Sequence, residues 1–259
     1  MDPSQFVTIM TLNLRFGLAN DGLNGWSFRK PALAELLSRF PLDFLCLQEV
    51  NDFQAKDVSA MLSGFRCIGL RSPAPRFWQN NLIYYHSRWS CDFEDHFFLS
   101  PTPDIPSRFR ESRWPRQCTW GRFGIGGCFI RLVTTHFDFD EAVQKKMAQV
   151  LLKRLSGISE PGPTVITGDF NAIPGSSPFR LLTTDDGGWQ VGLSRFESVF
   201  TQPFPGTHHR YQGQSDGRHI DWILFKGDLR ICGKGIISRR IGGRFLSDHF
   251  PLWVKFTFA

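Results

Sequence analysis

The chain has 259 residues, of which 41% are hydrophobic, with a net charge of +6 and a pI near 9.2. That apolar fraction is enough for a large buried core and excludes a disordered polyelectrolyte. No apolar run approaches the ~20 residues needed to span a bilayer. Met1–Gln5 lacks the basic start and apolar run of a secretory signal, so a cytoplasmic protein is expected.

In chain order, Phe6–Leu14 reads as a strand of β-branched and apolar residues. Ser27 is placed to cap a helix running to about Arg39, with Leu33, Leu36 and Leu37 on one face and Pro41 beyond its end. Asp43–Gln48 is a short apolar strand. Phe53–Leu62 is helical, capped by Asn51 or Asp52. Asn81–Tyr85, Gln117–Phe123 and Cys128–Thr135 read as strands, the last two joined by a hairpin at Gly124–Gly127. Asp140–Leu155 has the spacing of an amphipathic helix, through Val143, Met147, Val150, Leu151 and Leu155. Thr164–Thr167, Ile220–Phe225, Leu229–Ile237 and Phe250–Phe256 complete the strands. Strands outnumber helices and the helices are scattered among them. An α/β or α+β layered domain follows, and periodicity leaves that choice open. With no repeat or long linker, residues 1–259 read as a single domain.

Cys46, Cys67, Cys91, Cys118, Cys128 and Cys232 form no C-x-x-C pair and several sit in apolar runs. Buried free thiols in a reducing compartment are expected, with no zinc site or disulfide frame.

Polar residues recur at the ends of the apolar strands: Asn13, Gln48-Glu49, His136 and Asp138, Asp169 and Asn171, Asp221, and Asp248-His249. Singly, each is most simply a turn residue. Together they supply oxygen donors for a hard cation such as Mg²⁺ or Mn²⁺, and two histidines with carboxylates near them for proton transfer. A nucleophile elbow and a phosphate-binding P-loop are both missing.

In Thr11-Leu12-Asn13, Gln48-Glu49, Thr135-His136-Phe137-Asp138, Gly168-Asp169-Phe170-Asn171, His219-Ile220-Asp221 and Ser247-Asp248-His249, in that order over nearly the whole chain, the sequence resembles the endonuclease/exonuclease/phosphatase superfamily. The resemblance implies a deoxyribonuclease I-like four-layer sandwich: two mixed β-sheets face to face, with helices on both outer sides. It also implies Glu49 as main metal ligand with Asn13 beside it, and Asp248 completing the metal site or orienting the base. His249 would contact the phosphate or, with Asp221, deprotonate the attacking water. Asp169 and Asn171 would position that water, and His136 would bind a phosphate oxygen or protonate the leaving group. A histidine at 136, rather than the tyrosine usual in abasic endonucleases, is more like deoxyribonuclease I, the deadenylases and the sphingomyelinases. Phe98–Pro106 and Pro115–Trp120 look similar to segments of a bacterial branch of undefined substrate.

Arg108, Arg110, Arg113, Arg116 and Arg122 alternate with Trp114 and Trp120, a cation-and-ring pattern suited to nucleic acid, or a solvated loop whose tryptophans plug the core. The substrate contacts are assigned to Arg116, Arg113 and Asp138. The loop Arg71–Gln79 offers Phe77 and Trp78 to bases, to a membrane interface or to the core. Arg239, Arg240 and Arg244 extend a basic rim. His208-His209 reads as an exposed, inert loop pair, with lining of the cleft as the alternative. The function expected is metal-dependent hydrolysis of phosphate esters by a monomer, foremost as a nuclease-like phosphodiesterase. The alternatives are a phosphatase or phosphodiesterase acting on inositol phosphates, phospholipid head groups or other small esters, and an inactive binding module.

Overall fold

A computed structural model describes residues 6–158, 162–184, 195–214 and 217–259, so the reading of Met1–Gln5 lies outside the described residues. One six-stranded sheet holds β1 (Phe6–Asn13), β2 (Phe44–Val50), β3 (Phe65–Ile68), β4 (Asn80–His86), β11 (Leu229–Ile236) and β12 (Leu252–Phe258), in the order β11-β12-β1-β2-β4-β3. The other holds β5 (Ser90–Phe98), β6 (Gln117–Ile125), β7 (Cys128–His136), β8 (Thr164–Asp169), β9 (Glu197–Ser198) and β10 (Asp221–Lys226), in the order β5-β6-β7-β8-β10-β9. Each sheet is mixed, with one parallel pair at its centre: β1 with β2, and β7 with β8.

The central strands are apolar on both faces because both faces are covered. Val7, Ile9, Phe44, Phe123, Leu132, Val165, Val254 and Phe256 meet between the sheets. The outward set of the first sheet, including Met10, Leu12, Leu45 and Leu47, packs under α1 (Trp26–Arg39) and α2 (Asp52–Met61). Val133, Ile166, Trp222 and Leu224 of the second pack under α3 (Glu141–Ser156) and α4 (Ser177–Thr183). This is the four-layer sandwich. No described helix is long and apolar enough to cross a membrane.

Local chemistry fixes several boundaries. Asp140 caps α3 by accepting from Val143 N at 3.0 Å, and Asn51 caps α2, its N–H donating to Gln54 Oε1 at 3.0 Å. α1 starts at Trp26 with Gly25 at its cap, so Ser27 lies inside the first turn. β3, β5 and α4 carry no periodic apolar signal: β3 has four residues, and β5 is an edge strand rich in charge. All six cysteines are free, but Cys67 and Cys232 are exposed on outer strands rather than buried.

At the end of the sandwich where β2 begins, buried Asp43 ties three elements together. Its Oδ2 accepts from Thr8 N at 2.8 Å, and its Oδ1 accepts from Trp89 Nε1 at 3.0 Å and Arg88 Nε at 2.6 Å. Asp43→Ala would strand two buried N–H donors, and the expected loss is about 2–4 kcal/mol in urea unfolding. A change below about 0.5 kcal/mol would show that water replaces the carboxylate.

Candidate active site

The motif residues converge on one end of the sandwich, where β1, β2, β7 and β8 finish and β10 begins. The β7–β8 register sets His136 opposite Asp169, and the β8–β10 register sets Asp169 opposite Asp221. Gly168 makes the first of these possible: at φ +149°, a Cβ there would stand 2.0 Å from Thr135 O. Gln48 joins the sheets behind the site, its Nε2 reaching Thr11 Oγ1 at 3.1 Å and Thr134 Oγ1 at 2.9 Å.

Asn13 crosses from one sheet to the other. Its Nδ2 donates to Glu49 Oε1 at 3.1 Å and to Asp169 Oδ2 at 2.9 Å, while its Oδ1 accepts from Arg15 N at 2.9 Å. The Glu49 backbone is left-handed, at φ +62°, and its Oε2 accepts from Phe16 N at 2.7 Å. Asn171, also left-handed at φ +50°, donates from its own N–H to Asp169 Oδ1 at 2.9 Å. Asp169 is thus held from both sides.

His249 Nδ1 lies 2.8 Å from Asp221 Oδ2 and its Nε2 lies 3.8 Å from Asp169 Oδ2. Burial works against charge on this ring, but Asp221, Asp169 and Asp248 outweigh it and raise its pKa. Burial likewise raises the Asp169 carboxyl, with the Asp221 charge adding to the effect against His249 and the bonds from Asn13 and Asn171. His136 also has carboxylates near it, Asp169 Oδ2 at 3.6 Å and Glu49 Oε1 at 3.9 Å, but its closest polar neighbours are donors. Its Nδ1 faces Arg116 Nη1 at 3.1 Å and its Nε2 faces Asn171 Nδ2 at 3.1 Å. Burial, then the Arg116 and His249 charges, hold its pKa well below the usual histidine value. Protonation would set two ring N–H groups against two donors, so His136 is neutral.

Of the expected metal set, Asn13 and Glu49 are in contact, whereas Asp248 is reached through Arg15, whose Nη1 lies 3.6 Å from Asp248 Oδ2. Among the described residues, potential metal-ligand atoms lie within 4.8 Å of one another in His208–Asp248–His249 and in Asp169–Asp221–His249, and neither group includes Glu49. The donors fit a divalent cation chemically: they are chiefly carboxylates, and Asp221 Oδ1 is buried without a partner.

The expected substrate contacts separate. Arg116 is buried just before β6 and bonded to His136. Asp138 Oδ1 accepts from Phe139 N at 2.8 Å and Asp140 N at 3.2 Å, shaping the turn into α3. Arg113 is exposed, with its guanidinium over the Trp114 ring. The His208-His209 pair is not exposed. His209 is buried and stacked on Phe250 at 3.8 Å, and half-buried His208 lies 4.8 Å from the His249 ring. Arg15, Asp21 and Tyr211 also border the cleft without having been singled out. Arg15 had a signal, standing two residues after Asn13; Tyr211 had none.

The Endonuclease/Exonuclease/phosphatase family model matches residues 10–249. Comparison with curated proteins found no match. Among solved structures, the chain is similar to a Bacteroides thetaiotaomicron protein of that family, at 22% identity and TM-score 0.84, covering 98% of this chain and 95% of the other. It is similar to a mannosyl-6-phosphatase from B. thetaiotaomicron VPI-5482, at 22% identity and TM-score 0.85, covering 97% and 100%. A functionally unknown conserved protein from Enterococcus faecalis V583 matches at 25% identity and TM-score 0.84, covering 98% and 100%. With both its sandwich and its ordered strand-end motifs accounted for, the chain belongs to the endonuclease/exonuclease/phosphatase family, a family of phosphate-ester hydrolases.

Proposed function

We propose that the protein is a divalent-metal-dependent hydrolase that attacks phosphate esters with water, acting in the cell as a Mg²⁺ or Mn²⁺ enzyme. The observation that carries this reading is the geometry around Asp169: Asn13 and Asn171 bond to it, and His136 and His249 stand 3.6 and 3.8 Å from its Oδ2. Glu49 and Asp248 would hold a divalent cation, which would supply neutralisation of the phosphate charge. Charged His249, held by Asp221, directs its Nε2–H at a phosphate oxygen. Asp169 orients the attacking water and takes its proton, a role suited to a carboxyl shifted upward. Neutral His136 and the Asn171 amide define the far wall. Asn13 serves as a brace for Glu49 and Asp169, because its amide N–H, not its oxygen, faces them.

The nuclease-like reading rests on the Arg/Trp segment, and the arrangement of that segment favours a compact substrate instead. The Arg108 guanidinium is bonded to the Arg110 and Ser112 carbonyls. Arg122 lies over Phe129 near the hairpin end of β6, and Trp120 packs on Phe93. In the 71–79 loop, Trp78 packs on Phe98 under Arg71. What remains is a discontinuous set of cations rather than a groove tracking a backbone. The mannosyl-6-phosphatase of the same fold supports a small phosphate ester as substrate.

Glu49→Ala is expected to lower Mn²⁺ affinity by at least about 100-fold in calorimetry and to abolish metal-dependent turnover, with little change in Tm. Unchanged metal binding would remove Glu49 from the site. In Asp221→Asn, burial should dominate at His249 and lower its pKa. The charged ring is then lost at lower pH, so the alkaline limb of the kcat/KM profile should move toward acid. A limb that stays in place would separate Asp221 from the titrating group.

A further inference from the structure

Arg15 has a geometry that a surface ion pair does not require. Its Nε and Nη2 donate to Asp21 Oδ2 and Oδ1, each at 2.9 Å, a bidentate fork that fixes the guanidinium plane. Nη1 is left over. It faces Asp248 Oδ2 at 3.6 Å, beyond hydrogen-bond reach, and the side chain is 35% exposed. The backbone is pinned at both ends in a left-handed conformation, φ +66°: Arg15 N donates to Asn13 Oδ1, and Arg15 O accepts from Gln54 Nε2 at 3.1 Å. Asp21 is braced in turn by the Tyr211 hydroxyl at 3.4 Å. Tyr211 and its neighbour Arg210 are both left-handed, at φ +62° and +49°, and Arg210 N donates to Asp248 O at 3.2 Å. Non-glycine residues held this way persist only where surrounding structure enforces them, and they cluster at ligand clamps.

We propose that Arg15, oriented by Asp21 and Tyr211, binds a non-bridging oxygen of the substrate phosphate through Nη1 and selects phosphate monoesters over diesters. The inference rests on the reading of the site as a phosphate-ester hydrolase. A monoester near neutral pH carries between one and two negative charges and three terminal oxygens. A diester carries one charge and two such oxygens. The His249 Nε2–H would take one monoester oxygen, a cation at the carboxylate cluster would neutralise charge, and a third oxygen would be left to Arg15. In a diester that third position carries the second substituent, which would run into the wall built by Arg15, Asp21 and Tyr211.

The test uses the full chain with Mg²⁺ and two matched probes, p-nitrophenyl phosphate and bis-p-nitrophenyl phosphate, together with calorimetry of inorganic phosphate binding. Wild type should prefer the monoester in kcat/KM. Arg15→Ala should slow both reactions but lower the monoester-to-diester ratio roughly ten- to a hundredfold, chiefly through KM, and weaken phosphate binding by a similar factor. Arg15→Lys, which keeps the charge without the fork, should fall between. A ratio and a phosphate affinity that Arg15→Ala leaves unchanged would overturn the proposal, as would equal losses on both probes. If wild type cleaves neither probe while Arg15→Ala still weakens phosphate binding, the hydrolase reading fails and the clamp stands. Should Arg15→Ala not fold, Tyr211→Phe removes the brace on Asp21 and should lower the ratio by about two- to tenfold; no change there would also overturn the clamp.

Discussion

The structure turns on a crowding of carboxylates at the seam between two sheets. Asp169, Asp221 and Asp248 are buried there, with Glu49 close by, and like charges in a low-dielectric setting repel strongly. The Asn13 amide answers part of that repulsion by donating to Glu49 on its own sheet and to Asp169 on the other. This side chain therefore ties the two sheets together at the cleft. Gly168 sets the spacing within the second sheet, and Gln48 closes the layer behind. Much of the local geometry keeps these oxygens near each other without letting them collapse onto a single counter-charge.

Crowding also divides the labour of the two histidines. Both are buried, and burial alone would make both neutral. His249 stays charged because three aspartates surround it. His136 stays neutral because Arg116 already occupies the place of its counter-ion and donates to its ring. Neighbours, not sequence position, decide which imidazole does which.

The elements that fix the site were legible because they are short, apolar and terminated by polar residues. β1, β2, β7, β8 and β10 all read correctly, as did the helices α1, α2 and α3. β5 was not legible, since an edge strand such as Ser90–Phe98 carries charge on its open side and loses the alternation that marks a half-buried strand. Motif order brought Asn13, Glu49, His136, Asp169, Asn171, Asp221, Asp248 and His249 to one end of the sandwich, but motifs do not reveal orientation. The direction of the Asn13 amide, the loop-holding bonds of Asp138 and the burial of His209 against Phe250 depend on partners far away in sequence. The Arg/Trp alternation hides orientation for a related reason: in sequence Arg116 and Arg122 look alike, yet one lies at His136 and the other toward the hairpin at the far end of β6.

Strain follows the same map. Among the described residues, the non-glycine positions with positive φ are Arg15, Glu49, Asn171, Arg210 and Tyr211, and each lies at the cleft or in the loop bonded to Asp248. Such conformations cost on the order of 1 kcal/mol or more each and bring no packing benefit of their own. The Glu49 carboxylate accepts from Phe16 N, and the Asn171 amide reaches His136 Nε2 and Phe137 O, so both side chains turn toward the site. Arg15, Arg210 and Tyr211 pay a comparable cost on one wall only, around Asp21 and Asp248. Three of the five strained positions lie on that wall, which suits a rigid recognition surface, because a relaxed loop there would let the guanidinium follow Asp248. On the proposed reading, the Arg15 side of the cleft is the part that discriminates and the sheet ends are the part that reacts.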